Sequence, residues 1–261
     1  MRRHATTALL ALAVAALSVP VQAQMHMDHA DHAPAPAPAE TGTAAPFGPP
    51  VMDQHVFYHA LLDELEGRFG SDQSFRWEGE AWGGTDDNRF WLKSEGTLAN
   101  GLLDDGRQEL FFSRAVSTYF DAQIGARYDL DSKPGRGWVA FGVEGLAPLF
   151  FQVAATGYVG GDGRLAARLE GSYDLLLTQR LILQPKVEMN FYSQDDPMRE
   201  IGAGLSDLEA GLRLRYEITR KVAPYIGVSY DGKFGRTADF ARDAGDPTDA
   251  VRFVVGVRLW L

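Results

Sequence analysis

Apolar and polar residues alternate with a period of two over most of the chain beyond about residue 55. The alternation is clearest at the C-terminus, where one face carries Val251, Phe253, Val255, Val257, Leu259 and Leu261. It recurs over residues 207–217, 181–192 and 163–174. A period of two is typical of a β-strand that is apolar on one face only. The body of the protein is therefore predicted to be all-β.

Three features favour a barrel in the outer membrane over a soluble sandwich or a lipocalin-like barrel, which also alternate. The segments are about ten residues long, as a tilted transmembrane strand requires. Short connections (residues 178–180 and 219–221) alternate with long polar ones (193–206 and 235–249), as periplasmic turns alternate with extracellular loops. Aromatic residues near strand ends suggest interfacial girdles, with Trp82, Trp91, Trp138 and Trp260 among them. We predict an antiparallel up-and-down transmembrane β-barrel.

The number of strands can be predicted because it must be even. Counting back from Leu261 gives eleven strands as far as residue 74. Bacterial single-chain barrels have an even number of strands, so one more is required, and residues 56–68 are the candidate. This stretch, VFYHALLDELEGR, favours a helix by propensity alone. Because a barrel in lipid cannot leave an open edge, we predict about 12 strands, with ten or fourteen as alternatives.

The segment before the barrel divides in two. Arg2 and Arg3, an apolar run that is too short to span a bilayer and the small-residue site Val21-Gln22-Ala23 predict a secretory signal peptide over residues 1–23. Residues 24–54 contain a Pro/Ala-rich stretch without apolar periodicity, which predicts a disordered, flexible arm. Residues 55–261 form the predicted barrel. We expect the barrel in the cell outer membrane, in contact with its lipid, and the arm in the periplasm.

Charge and composition exclude several functions. The net charge of −10 argues against nucleic acid as a partner, because phosphate binding needs a basic face. The absence of cysteine excludes disulfides and thiolate metal sites. We also predict that the protein is not an enzyme, because His59 is the one histidine in a predicted strand and no nucleophile–base–orienter set is recognisable.

Charged residues of both signs occupy the polar face of the strands, which the register turns toward the lumen. Examples are Arg76, Glu78, Lys186, Glu209 and Arg213. Opposite charges that face each other across a narrow barrel are expected to pair and fill it. A carboxylate-lined route for cations is the alternative.

Candidate metal ligands are concentrated before the barrel. The stretch Met25-His26-Met27-Asp28-His29-Ala30-Asp31-His32 is followed by His55 and His59. Thioether sulfur suits Cu(I), and imidazole suits Cu(II). We predict that a copper ion is bound by residues from this set, namely Met25, His26, Met27, His29, His32, His55 and His59.

Long stretches of the body resemble the copper resistance protein B family. They include residues 167–197, 201–218 and 223–246, with the shorter strings WLKSEG (91–96) and AFGVEGLAP (140–148). The resemblance implies an outer-membrane β-barrel in a Gram-negative copper-resistance system, which usually includes a periplasmic multicopper oxidase as a partner. Family members often carry long Met/His/Asp repeats, whereas this chain has only MHMDHADH (25–32), so a smaller copper capacity is expected.

The sequence thus leaves three functions open. The first is a copper-binding protein that contributes to copper resistance and homeostasis in the envelope. The second is a channel that conducts or exports copper. The third is a closed structural barrel with no role for a metal.

Overall fold

A computed structural model describes residues 55–130 and 135–261, which form one closed antiparallel barrel of twelve strands. The strands are β1 (Phe57–Phe69), β2 (Gln73–Gly84), β3 (Asn88–Ala99), β4 (Leu102–Ala115), β5 (Phe120–Asp129), β6 (Arg136–Ala147), β7 (Phe151–Gly160), β8 (Leu165–Ser172 and, after a break, Leu175–Leu176), β9 (Leu181–Tyr192), β10 (Gly204–Tyr216), β11 (Val222–Lys233) and β12 (Asp249–Trp260). Each strand pairs with the next, and β12 pairs with β1. The predicted fold class is confirmed. The signal peptide and the arm lie outside the described residues.

Strand β1 supplies the twelfth strand that closure requires, despite its helical propensity. It contains a β-bulge: Leu62 lies opposite Gly79, but Glu64 lies opposite Glu78, the very next residue of β2. A bulge changes which side chains face inward. Before it, His59 and Leu61 face the lumen, and after it the inward residues are Glu64, Glu66 and Arg68.

The outer surface of the barrel is an apolar belt. On β12, Val254 is completely buried, whereas its neighbours Phe253 and Val255 are 48% and 44% exposed. Exposed apolar side chains recur on other strands, including Leu92, Leu110, Ile124, Phe141 and Ile226. This arrangement turns apolar residues toward lipid and polar residues toward the lumen. Among the described residues, no helix is long and apolar enough to cross a membrane.

The two ends of the barrel differ. At the termini end, where β1 begins and β12 ends, the connections span residues 85–87, 116–119, 148–150, 177–180 and 217–221. At the loop end, the two longest connections span residues 193–203 and 234–248. The longer of these contains helix α1 (Gly235–Ala244), in a segment that we predicted to be only a loop.

Helix α1 packs on the neighbouring connection at the loop end. Thr237 is buried, its hydroxyl hydrogen-bonds to that of Ser206 at 2.9 Å, and it accepts a hydrogen bond from the Gly202 amide at 2.8 Å. The helix ends at Gly245, whose φ of 82° is the left-handed conformation common after a helix C-terminus. The helix therefore covers part of the loop end.

The interpretation of the tryptophans as girdle residues is wrong. Trp91 and Trp138 are 8% and 4% exposed and belong to a buried aromatic cluster inside the barrel. Trp82 packs against Trp91, and Trp260 lies beside the inward-facing His59. Proximity to a strand end does not determine which face a residue occupies. The face is set by the alternation of residues along each strand. These tryptophans alternate in step with the charged residues that face the lumen.

Candidate functional site in the barrel lumen

The predicted copper ligands divide between two parts of the chain. Met25, His26, Met27, His29 and His32 lie outside the described residues. His55 is exposed just before β1, and His59 is half-buried on the lumen face of β1. Within residues 55–130 and 135–261, no three His, Cys, Asp or Glu side chains are grouped so that they could hold a metal ion.

Buried ion pairs cross the middle of the lumen. Glu64, only 1% exposed, lies 2.9 Å from the Arg213 guanidinium. It also lies 3.3 Å from each of Arg76 and Lys186. These partners come from β2, β9 and β10, so one carboxylate on β1 joins several walls of the barrel. We call this set and its neighbours the ion-pair layer; its members are Glu64, Glu66, Arg68, Arg76, Glu95, Arg107, Arg168, Lys186, Glu188, Glu209 and Arg213.

Glu66 is the most completely enclosed acid of the ion-pair layer, with no exposed surface. It accepts hydrogen bonds from Arg68 at 2.8 Å and from two guanidinium nitrogens of Arg213 at 2.9 and 3.0 Å. The Tyr225 hydroxyl donates a further bond at 3.0 Å. A buried carboxylate is costly unless its lone pairs are satisfied. Four donated hydrogen bonds meet that requirement.

The ion-pair layer continues to the far wall. Arg168 on β8 lies 2.9 Å from Glu95 on β3 and 2.7 Å from Glu188 on β9. Arg107 on β4 lies 3.2 Å from Glu95. The predicted pairing of opposite charges inside the barrel is confirmed. Glu64, Glu66 and Arg68 were not among the residues predicted to face the lumen, although they alternate with Leu65 and Gly67 as residues of an inward polar face do.

A cavity of about 320 Å³ lies on the termini side of the ion-pair layer. Seven carboxylates line it: Asp63, Glu78, Glu80, Glu95, Glu109, Glu144 and Glu170. Five cationic side chains line it as well: Lys93, Arg107, Arg168, Lys186 and Arg258. The cavity therefore carries a modest excess of acid, and several of its carboxylates already bind a cationic side chain.

An aromatic group lies on the lumen face at the termini end. The centroid of the His59 ring lies 5.3 Å from the ring of Trp260, with the planes nearly perpendicular. It lies 5.9 Å from the ring of Trp82, which in turn lies 5.9 Å from that of Trp91. The Arg89 guanidinium lies 5.2 Å from the centroid of the Trp82 ring. The indole face of Trp82 thus already attracts a cation.

At the loop end, Asp196 joins three segments. Its carboxylate accepts a hydrogen bond from Arg136 at 2.5 Å and forms an ion pair with Arg164 at 2.6 Å. Burial opposes ionisation of Asp196. The hydrogen bond from Arg136 and the charges of Arg136 and Arg164 outweigh that effect, so the pKa of Asp196 lies below its ordinary value. The connection over residues 193–203 is therefore held to the wall of the barrel.

Comparison with known proteins decides the family. The model of the copper resistance protein B precursor family (CopB) matches residues 56–261, which is the whole barrel. The chain belongs to the copper resistance protein B family. The resemblance seen in the sequence is therefore confirmed.

Two individual relatives support membership of the CopB family. Copper resistance protein B of Escherichia coli is 45% identical over 214 residues, which cover 82% of this chain and 72% of the relative. The copper resistance protein B homolog of Pseudomonas syringae pv. tomato is 44% identical, over 82% of this chain and 73% of the relative. A solved NanC porin structure matches with a TM-score of 0.54 and 14% identity, over 76% of this chain and 99% of the porin. The porin supports the fold alone, and CopB membership together with the apolar belt places the protein in the outer membrane.

Proposed function

We propose that this protein binds copper ions through its N-terminal arm and so contributes to copper resistance and copper homeostasis in the Gram-negative envelope. The observation that carries the proposal is the Met/His stretch of residues 25–32 on a chain whose barrel belongs to the CopB family. Thioether and imidazole groups are suitable copper ligands. Met25, His26, Met27, His29 and His32 are the proposed ligands on the arm, and His55 and His59 follow at the start of the barrel.

The barrel anchors the arm and carries out no catalysis. The arm is joined to the barrel at the termini end, where the connections are short. Short turns are typical of the periplasmic side of outer-membrane barrels, so the arm is proposed to lie in the periplasm. There it would meet soluble envelope proteins, and a periplasmic multicopper oxidase of the same resistance system is the proposed partner.

Copper titration of the full-length protein tests the proposal. The wild-type chain should bind Cu(II), and should bind it more tightly than Zn(II), since Cu(II) forms the more stable complexes with a given set of nitrogen ligands. Replacing Met25, His26, Met27, His29 and His32 together by alanine should abolish Cu(II) binding, measured by equilibrium dialysis. The matched control is Pro34→Ala, Pro36→Ala and Pro38→Ala together, which alters the same arm without removing a ligand and should retain it. Stoichiometric Cu(II) on the five-fold variant would remove the arm as the site.

A copper-conducting channel is the second candidate, and the carboxylate excess of the lumen cavity favours it. We expect the ion-pair layer to block this route, because Arg168 on β8 meets Glu95 on β3 at 2.9 Å and Lys186 on β9 meets Glu64 on β1 at 3.3 Å across the lumen. Wild-type protein in a planar bilayer should therefore show negligible conductance. Replacing Glu64, Arg76, Arg168 and Glu188 by serine removes two charges of each sign, and should raise the conductance at least tenfold. A large, steady, cation-selective current from the wild-type protein would support the channel instead.

A further inference from the structure

We infer that Arg180, Arg220 and Lys221 form a binding surface for an anionic phospholipid at the termini end of the barrel. We call these three residues the basic rim. The inference goes beyond the proposed function, because it concerns a lipid and uses none of the proposed copper ligands. It therefore holds or fails independently of copper binding.

The basic rim lies on two neighbouring turns. Arg180 is in the connection between β8 and β9, and Arg220 and Lys221 are in the connection between β10 and β11. A backbone hydrogen bond joins the two turns, with the Glu217 amide donating to the Arg180 carbonyl at 2.8 Å. Another holds the second turn against β12, from the Trp260 amide to the Lys221 carbonyl at 2.9 Å. The three cations are thus carried by adjacent turns that are fixed to each other and to the wall of the barrel.

The cations of the basic rim are exposed and unpaired. All three residues are exposed. Within residues 55–130 and 135–261, none of their side chains forms an ion pair or a hydrogen bond. By contrast, the exposed Arg236 and Arg242 at the loop end both form ion pairs with Asp239, at 3.8 and 2.8 Å. Cationic side chains without a partner in the chain remain available to the oxygen atoms of a phosphate group.

Positive charge at the termini end is concentrated in this sector. The two turns of the basic rim contain one acid, Glu217, and have a net charge of +2. The connection over residues 85–87 contains two aspartates instead, and the connections over 116–119 and 148–150 contain no charged residue. Clusters of cations next to a membrane attract anionic lipids. An anionic headgroup is therefore attracted to the basic rim and not to the termini end as a whole.

Formation of these turns does not require the cations. In both turns a threonine hydroxyl, of Thr178 or Thr219, accepts hydrogen bonds from the amides two and three residues further on, at 2.9–3.3 Å. The connection over residues 116–119 is built in the same way, and the Ser117 hydroxyl accepts a hydrogen bond from the Tyr119 amide at 3.4 Å. Tyr119 occupies the position at which each of the other two turns has a cation. The positive charge of the basic rim is therefore not needed to make the turn.

Apolar side chains lie beside the basic rim, at the end of the apolar belt. Leu176, Leu177 and Ile218 are each more than half exposed, and Tyr216 is nearly half exposed. A tyrosine at such a boundary has its ring against apolar groups and its hydroxyl in water. This combination fits a phospholipid, whose chains contact apolar side chains while its phosphate lies at the level of the cations. A soluble anion would gain nothing from the exposed leucines.

Native mass spectrometry of the full-length protein in detergent tests the surface. The probes are dioleoyl phosphatidylglycerol and dioleoyl phosphatidylcholine at equal concentration, which have the same chains and differ in the net charge of the headgroup. The wild-type protein should retain phosphatidylglycerol in preference by roughly tenfold or more, since each cation near an anionic lipid contributes about fivefold. The preference should fall as the salt concentration rises. Arg180→Gln, Arg220→Gln and Lys221→Gln together should remove most of it.

The matched control is Lys233→Gln, Arg236→Gln and Arg242→Gln together. It removes the same residue types, also exposed, from the loop end, and should leave the preference unchanged. Glu217→Gln removes the acid from the turns of the basic rim and should increase the preference. Inorganic phosphate at the concentration of the lipids should not displace phosphatidylglycerol, because it has no chains to contact the apolar side chains.

Several results would overturn the inference. They are equal retention of the two lipids by the wild-type protein, an unchanged preference in the basic-rim variant, and an equal loss of preference in the loop-end control. Displacement of the lipid by inorganic phosphate would also overturn it, by showing a site for soluble anions. Each variant must keep the β-sheet circular dichroism of the wild type. Cu(II) binding measured on the same samples shows whether the proposed function stands, whatever the outcome for the lipid.

Discussion

Replacing Glu66 by glutamine is expected to lower the free energy of unfolding of the barrel by about 3–5 kcal/mol, the range for breaking a buried ion pair by removing one partner. Glu66 has no exposed surface and receives bonds from Arg68, Arg213 and Tyr225. Without its charge, two buried guanidinium groups lose a counter-ion that water cannot replace. Glu64 and Glu209 remain as partners and keep the loss within this range.

Urea unfolding of the purified protein in detergent, followed by tryptophan emission, measures this loss. Glu217→Gln is the matched control. It makes the same chemical change in a connection at the termini end, where no ion pair within the described residues is broken. A surface change of this kind is expected to alter stability by no more than about 0.5 kcal/mol. If Glu66→Gln unfolds at the same urea concentration as the control, the ion-pair layer does not stabilise the barrel.

The fold could be predicted because its determinants are local and periodic. The alternation in β12 gives both the strand and its outward face, and Val254 lies on the buried side as the period of two requires. Residues 57–69 have the propensity of a helix, but closure of the barrel makes them a strand. Helix α1 was not predicted, because a ten-residue segment rich in charge has no apolar stripe long enough to stand out from a loop.

The candidate sites were predictable only as far as residue type allows. The proposed copper ligands of the arm are recognisable from their side chains, since a short stretch rich in histidine and methionine is typical of a metal-binding segment. The neighbours of His59 are not recognisable in this way. Trp82 and Trp260 come from β2 and β12, and their inward orientation depends on the register of those strands with β1. Likewise, the bulge at Asp63 changes which alternate residues of β1 face inward. It thereby brings Glu64 and Glu66 into the lumen.

Loss of copper tolerance is the second large effect expected. In a Gram-negative host without its own copper-resistance genes, the wild-type chain should allow growth at copper concentrations that stop cells with an empty vector. The chain with Met25, His26, Met27, His29 and His32 replaced by alanine should lose this protection, because residues 55–130 and 135–261 contain no group of three His, Cys, Asp or Glu side chains that could hold Cu(II) in their place. Pro34→Ala, Pro36→Ala and Pro38→Ala together alter the same arm without removing a ligand, so this control should still protect.

The decisive measurement is therefore the copper concentration that halves growth, determined for cells whose outer membranes contain equal amounts of each barrel. The proposed function predicts that the five-fold variant matches the empty vector and that the proline variant matches the wild type. Full protection by the five-fold variant would contradict it and would assign copper tolerance to the barrel itself.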